Sequence, residues 1–211
     1  LDKAQRSQAL CELAQDYHKA GLLDRAENLF LELTEIPAHA EQALRLLMHI
    51  YEQEKDWDKA ITAGRRLAKT AGRNLEPVLA QYHCELGERA LQTGNIAHAR
   101  SCAVDALAID PRCVRASILA GRVAAMQGSE RDAILAWQKI EQQDAEYLDE
   151  VIDEIAAAFR KLNEEPQLLL YLRDVARRRP GVRTLLTLAE LIRARDGESA
   201  AQTFIAERLR Q

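Results

Sequence analysis

Four cysteines and five histidines are the residues of this sequence best suited to nucleophilic, redox or metal chemistry. A zinc or dithiol site needs thiolates at short, matched spacings. Cys11, Cys84, Cys102 and Cys113 contain no CxxC pair, and the shortest gap, Cys102 to Cys113, has no matching His pair nearby. No metal site is expected among them. Low cysteine density in a chain of this length also disfavours a disulfide framework, so these read as reduced thiols that pack as small apolar side chains. His18, His39, His49, His83 and His98 are scattered. His83 adjoins Cys84, but neighbouring residues on a helix point about 100° apart, so the two do not form a dyad. Phosphate-cradling glycine loops, HExxH and GxSxG are absent from the sequence. The chain is expected not to be an enzyme.

The elements that carry these residues must be helical. Only nine Gly and five Pro occur in 211 residues, against many Ala, Leu, Glu, Gln and Arg. The net charge of −4 argues against a broadly basic nucleic-acid or membrane-coating surface, so no nucleic-acid partner is expected. The 47% hydrophobic share supplies a substantial core without any run of eighteen apolar residues. The sequence opens on Leu1 and stops on Leu209-Arg210-Gln211 within a helical pattern, and it reads as a fragment cut at both ends.

Internal repetition organises the helices. Counted from Ser7, residues Leu10, Leu13, Ala14, Tyr17, Gly21, Ala26 and Phe30 fall at positions 4, 7, 8, 11, 15, 20 and 24. This is the spacing of the tetratricopeptide repeat, a helix–turn–helix unit of about 34 residues. Further units start near 41, 80, 114, 149 and 182, separated by 34, 39, 34, 35 and 33 residues. The long interval holds the segment around Ala71-Gly72-Arg73-Asn74, and the fifth unit carries Asn163 where Gly is usual and Leu169 where Ala is usual. The expected fold is therefore all-α, a right-handed tetratricopeptide superhelix of about six units in one array over residues 1–211.

The register has a physical basis. Positions 4, 7, 8 and 11 form an apolar stripe on the first helix of each unit, and 20, 24 and 27 a matching stripe on the second. Small residues at 8 and 20 (Ala14, Gly87, Gly121, Ala26, Ala60, Ala99, Ala133) let the helix axes approach. Gly21, Gly94 and Gly128 are placed where a left-handed C-cap ends the first helix. Pro37, Pro111 and Pro180 mark breaks between units, and Trp57 and Trp137 are assigned to packing. A single unit cannot bury its apolar faces, so neighbours stack and leave a concave face.

First-helix positions 2, 5, 9, 12 and 13 line that face. They include Gln15 and His18, Arg45 and His49, Glu88, Arg115 and Arg122, and Arg160, which are the candidate partner-binding residues. Cys11, Cys84 and Ile118 fall at the same positions. The groove is polar and of mixed sign, and Arg45, Arg115 and Arg122 in its middle are suited to clamping carboxylates. The acidic stretch Gln142–Glu150 suits a helix N-terminus and the basic run Arg177-Arg178-Arg179 a C-terminus. A docking patch at Arg177–Arg179 is the sharper alternative.

Several strings are more specific than the repeat consensus. They are Leu13–Glu27, Ala43–Tyr51, Tyr82–Leu86, Gly121-Arg122-Val123, and Ile192–Gly197 with Ala200-Ala201-Gln202. Together they resemble the central repeats of the lipopolysaccharide assembly protein B family of Gram-negative bacteria. The resemblance implies an adaptor whose repeat array is cytoplasmic and tethered to the inner membrane by an N-terminal helix. It implies a rubredoxin-like zinc module with two CxxC pairs at the C-terminus, so zinc is expected in that module and no cofactor in this fragment. It further implies that the array helps a membrane ATP-dependent protease (FtsH) degrade the deacetylase (LpxC) that commits precursor to lipid A. None of the four cysteines matches the zinc ligands, and the resemblance supplies no ligand motif for the groove. Two other readings stay open: a regulatory repeat region of a glycosyltransferase, and a peptide-binding co-chaperone module.

Overall fold

The computed structural model describes residues 2–208. The pattern expected at Leu209–Gln211 lies outside them. Among the described residues the chain folds into helices without strands. Six helix pairs follow one another: α1 (Lys3–Lys19) with α2 (Leu23–Leu33), α3 (Pro37–Glu54) with α4 (Trp57–Ala71), and α5 (Glu76–Gln92) with α6 (Ile96–Ile109). Then come α7 (Val114–Met126) with α8 (Glu130–Gln138), α10 (Ile152–Lys161) with α11 (Glu165–Arg178), and α12 (Val182–Asp196) with α13 (Glu198–Arg208). Between α8 and α10 lie a short helix α9 (Ile140–Asp144) and a 3-10 segment (Ala145–Glu150). The fold is a right-handed α-solenoid of helix–turn–helix units.

The turns inside the units follow from backbone sterics. Gly21, Gly94 and Gly128 have φ of 73°, 74° and 74°, the left-handed region that glycine enters without a Cβ clash. Lys55 and Asn163, both at φ 56°, take that place in two other units. Asp56 and Asn95 then cap the second helices, accepting from the N–H of Lys59 at 3.3 Å and of His98 at 3.1 Å. Pro37 stands in the first turn of α3, where its missing N–H is not needed.

Packing follows the small-residue register. Ala14, Ala26, Ala60, Ala99 and Ala133 are fully buried. A Cβ on Gly87 would lie 3.1 Å from Cys102 Cβ and would overlap the Leu119 side chain, and one on Gly121 would overlap the Trp137 indole. In the fifth unit the fully buried residue at that register position is Leu168 rather than Leu169. The core runs along the array between helices: Phe30, Leu33, Leu44, Leu47 and Ile50 fill one end, and Trp137, Ile152, Ile155, Leu168 and Leu172 the other. Burial of each of these side chains contributes ~1.5–3 kcal/mol.

Consecutive units touch through second helix to next first helix (α2 to α3, α4 to α5, α6 to α7, α8 to α10, α11 to α12). First helices also pack on one another, α5 on α7 and α10 on α12, whereas among the described residues no two second helices pack to that extent. Closer spacing of the first helices puts them on the inside of the curve.

The acidic stretch differs from its expected role. It does not lead α10 as a simple charged N-terminus but forms α9 and the 3-10 segment, which fold back against α7 and α12. Asp149 caps α12 from a distance: its carboxylate accepts from the backbone N–H of Arg183 at 2.9 Å and of Thr184 at 3.1 Å, and from the Thr184 hydroxyl at 2.7 Å. The side chains of the basic run are ion-paired within the array. Arg178 pairs with Glu141 at 2.7 Å and Asp174 at 2.8 Å, Arg177 with Asp174 at 2.8 Å, and Arg179 reaches Glu146 at 3.9 Å. Asp174 on the same helix and Glu141 and Glu146 of the preceding segment supply the opposite charge, while Arg177 and Arg178 stand in the last turn of α11 where the helix dipole favours cations.

Candidate partner-binding groove

The first helices present their polar positions to the inside of the array, and the stacking of units decides what those side chains meet. A repeat near 34 residues sets equivalent positions of adjacent units side by side, so side chains about 30–34 apart in sequence become neighbours. Charged pairs then bridge the units: Lys59 to Glu27 at 3.0 Å, Lys161 to Glu130 at 2.7 Å and Arg183 to Asp153 at 3.4 Å.

The candidate residues fall into separate groups. At one end the rings of His18 on α1 and His49 on α3 meet edge to face, with centroids 5.7 Å apart. Gln15, one turn before His18, donates to Cys11 Sγ at 3.6 Å, and His49 lies 3.7 Å from the Glu52 carboxylate. In the middle, Arg115 on α7 reaches back to α5, donating to Gln81 at 3.1 Å, Glu85 at 2.9 Å and Glu88 at 2.8 Å. Arg122, two turns further along α7, reaches forward to Glu154 on α10 at 3.2 Å. Arg160 is exposed in the last turn of α10.

These contacts correct the expectation of an open arginine clamp. Arg45 pairs with Glu41 on its own helix, and Arg115 and Arg122 pair with carboxylates of the preceding and following units. Arg115 and Arg122 share a cleft while Arg45 stands apart from it. Cys11 and Cys84 do not line the groove either; both are buried, and Ile118 is buried at the cleft floor.

The cleft between α5, α7 and the returning acidic segment has a volume of about 590 Å3. Glu88, Arg115, Ile118 and Arg122 form one side, and Gln143, Tyr147 and Glu150 the other. Tyr147 is 46% exposed, an aromatic face held at the rim. Of the second wall, Glu150 falls at a concave-face position in the sequence, whereas Gln143 and Tyr147 were not among the sequence candidates. The signal that could have found them is the stretch from Ser129 to Leu162, which lacks Gly and Pro and therefore has no reason to turn away from the array.

Cys113 also lines this cleft. It is the N-cap residue of α7, and its sulfur lies 3.7 Å from that of Cys84 on α5. The Gln81 amide donates to it at 3.5 Å. The hydrogen bond from Cys84 and the N–H of Ala116 hold the Cys113 thiol below its ordinary pKa, while the same contact and burial push Cys84 up. The cysteines do not assemble a zinc set. Among the described residues no three His, Cys, Asp or Glu side chains are grouped to hold a metal ion, and no helix is long and apolar enough to cross a membrane.

Sequence comparison shows what the chain is similar to. The chain is 33% identical over 198 residues, 94% of its length, to lipopolysaccharide assembly protein B of Haemophilus influenzae. It is 31% identical over all 211 residues to the protein of that name from Escherichia coli K12. This chain is a tetratricopeptide-repeat protein resembling lipopolysaccharide assembly protein B. It spans about half the length of the curated relatives it matches, 50% and 54% of them respectively. No protein-family model matches it. Among solved structures, MamA superposes with a TM-score of 0.50 at 15% identity, covering 82% of this chain and 92% of that one, a likeness of fold alone.

Proposed function

We propose that the array is a non-catalytic adaptor in lipopolysaccharide assembly, and that it holds a partner polypeptide against its first helices. The observation that carries this is the cleft around Arg115. Its walls are polar, of mixed sign and open, and Arg115 is held there by two carboxylates at 2.8 and 2.9 Å while its side chain stays 38% exposed. Ion pairs this exposed are each worth ~0–1 kcal/mol. Exchanging Glu85 or Glu88 for a carboxylate of an incoming chain is therefore close to neutral, and the guanidinium fork gives the new contact its geometry. The Tyr147 ring beside it offers apolar contact to the same segment.

The relatives' name supplies the process. By resemblance, the partners are a membrane ATP-dependent protease (FtsH) and the deacetylase committed to lipid A (LpxC), and the site of action is the cytoplasmic face of the inner membrane. Within this proposal a membrane anchor and a zinc-binding module complete the protein, and zinc has no part in the groove itself.

The test is retention of each purified partner on the immobilised chain. Arg45→Glu, Arg115→Glu and Arg122→Glu combined should lower retention at least tenfold while the helical circular dichroism signal is kept. Undiminished retention by this variant would remove the groove from consideration.

A further inference from the structure

Cys84 and Cys113 sit 29 residues apart in sequence on different units, yet their sulfurs are 3.7 Å apart. The two are unlike. Cys84 is fully enclosed on α5, whereas Cys113, 3% exposed, forms part of the cleft wall at the start of α7. Around the Cys113 sulfur stand the Cys84 S–H, the Gln81 side-chain amide at 3.5 Å and the backbone N–H of Ala116, with Arg115 two residues on. Donors and positive charge converge on one sulfur, which is the environment that favours a thiolate. Asp110, three residues before Cys113, is the opposing charge, and its carboxylate accepts the N–H of Arg112 at 2.9 Å. Cys11 and Cys102 lack such a neighbour: Cys11 receives only the Gln15 amide, and Cys102 only His98 at 3.8 Å.

We infer that Cys113 and Cys84 form an oxidisable dithiol, with Cys113 as the thiol that attacks a small hydroperoxide and Cys84 as the resolving thiol. The Cys113 thiolate attacks the nearer peroxide oxygen. The O–O bond breaks, Cys113 becomes the sulfenic acid, and the departing hydroxide takes a proton and leaves as water. Cys84 sulfur then displaces the sulfenic hydroxyl, which takes the Cys84 proton and leaves as water, the proton taken up in the first step replacing the one Cys113 gave up to solvent. The sum is two thiols and hydrogen peroxide giving one disulfide and two waters. A disulfide requires sulfurs ~2.05 Å apart, so closing the gap needs side-chain rotation and a small shift of the Asp110–Cys113 turn rather than refolding. The bond would tie α5 to the start of α7 beside Arg115, at the centre of the cleft. This inference concerns the two thiols only and does not depend on the proposed partner.

The experiment treats the intact chain with hydrogen peroxide, removes the excess with catalase, alkylates under denaturing conditions and maps the peptides by mass spectrometry. Two of the four thiols should be lost to alkylation and regained with dithiothreitol, and the cross-linked peptides should contain Cys84 and Cys113 of one chain. In Cys84→Ala, dimedone should label Cys113 ahead of Cys11 and Cys102. The wild-type map decides the matter by itself if that variant loses its helical signal. Full alkylation of Cys84 and Cys113 at peroxide levels that oxidise free cysteine would overturn the inference. So would prior oxidation of Cys11 or Cys102, or a disulfide formed only between chains.

Discussion

Gly121→Ala puts two physical effects in opposition. In an isolated helix the change favours the helix by ~1 kcal/mol, because glycine carries more backbone entropy into the unfolded chain. In this array the added Cβ enters the indole of Trp137, which is 2% exposed and donates through Nε1 to the Ile118 carbonyl at 3.2 Å. Ile140, Ile152 and Ile155 lie in the same core cluster and are fully buried, so the ring has no empty space to enter. Overpacking of this kind costs about 1–3 kcal/mol, and disturbing the Nε1 hydrogen bond costs about 1 kcal/mol more. With the propensity gain subtracted, the expected loss remains about 1–3 kcal/mol. Urea unfolding followed by both tryptophan fluorescence and far-ultraviolet circular dichroism measures it, two probes being needed because repeat arrays need not unfold in one step. In a Trp137→Phe background the smaller ring frees volume beside Gly121, so the same substitution should cost less there. A raised urea midpoint for Gly121→Ala, or an equal loss in both backgrounds, would refute the close approach of α7 and α8 on which the repeat register rests.

Other outcomes follow from other contacts. Asp149→Ala leaves two backbone N–H groups of α12 and the Thr184 hydroxyl without their acceptor, and should cost about 1–2 kcal/mol, with hydrogen exchange accelerated first in α12. Arg178→Ala removes ion pairs of a half-exposed side chain and should change stability by less than about 1 kcal/mol; a larger loss in the same urea assay would contradict the pairing described. Burial holds the His83 pKa below its usual value, so the unfolded chain binds that proton first as pH falls. The stability this contributes is complete above about pH 6.5 and is lost as pH drops through the folded-state pKa. His83→Gln should flatten the decline measured between pH 7.5 and 5.5, and an unaltered profile would assign it elsewhere.

What was legible in the sequence and what was not divide along one physical line. The helix pairs could be read because their determinants repeat locally: Gly21, Gly94 and Gly128 need left-handed φ, and Ala14, Ala26, Ala60 and Ala99 need proximity. Stripe periodicity carries that information within a few turns. The groove chemistry was not legible in the same way, because it depends on which side chains meet across a unit. Arg115 appears in the sequence as a free cation, and only the stacking of α5 against α7 hands it to Glu85 and Glu88. The acidic stretch Gln142–Glu150 reads as favouring the N-terminus of the following helix, yet its Glu146 finds Arg179 and its Asp149 the start of α12. Cys84 and Cys113 belong to the same class, distant in sequence and adjacent in space.

The account turns on the inner, first-helix face being the one a partner occupies. A photo-crosslinking side chain placed in turn at Gln42 and Met126, exposed on first helices, and at Val104 and Leu135, equally open on second helices, tests this against the purified deacetylase. Cross-linking from Gln42 or Met126, with Val104 and Leu135 silent, is the predicted result. Cross-linking confined to Val104 or Leu135 would put the partner on the outer face and contradict the account.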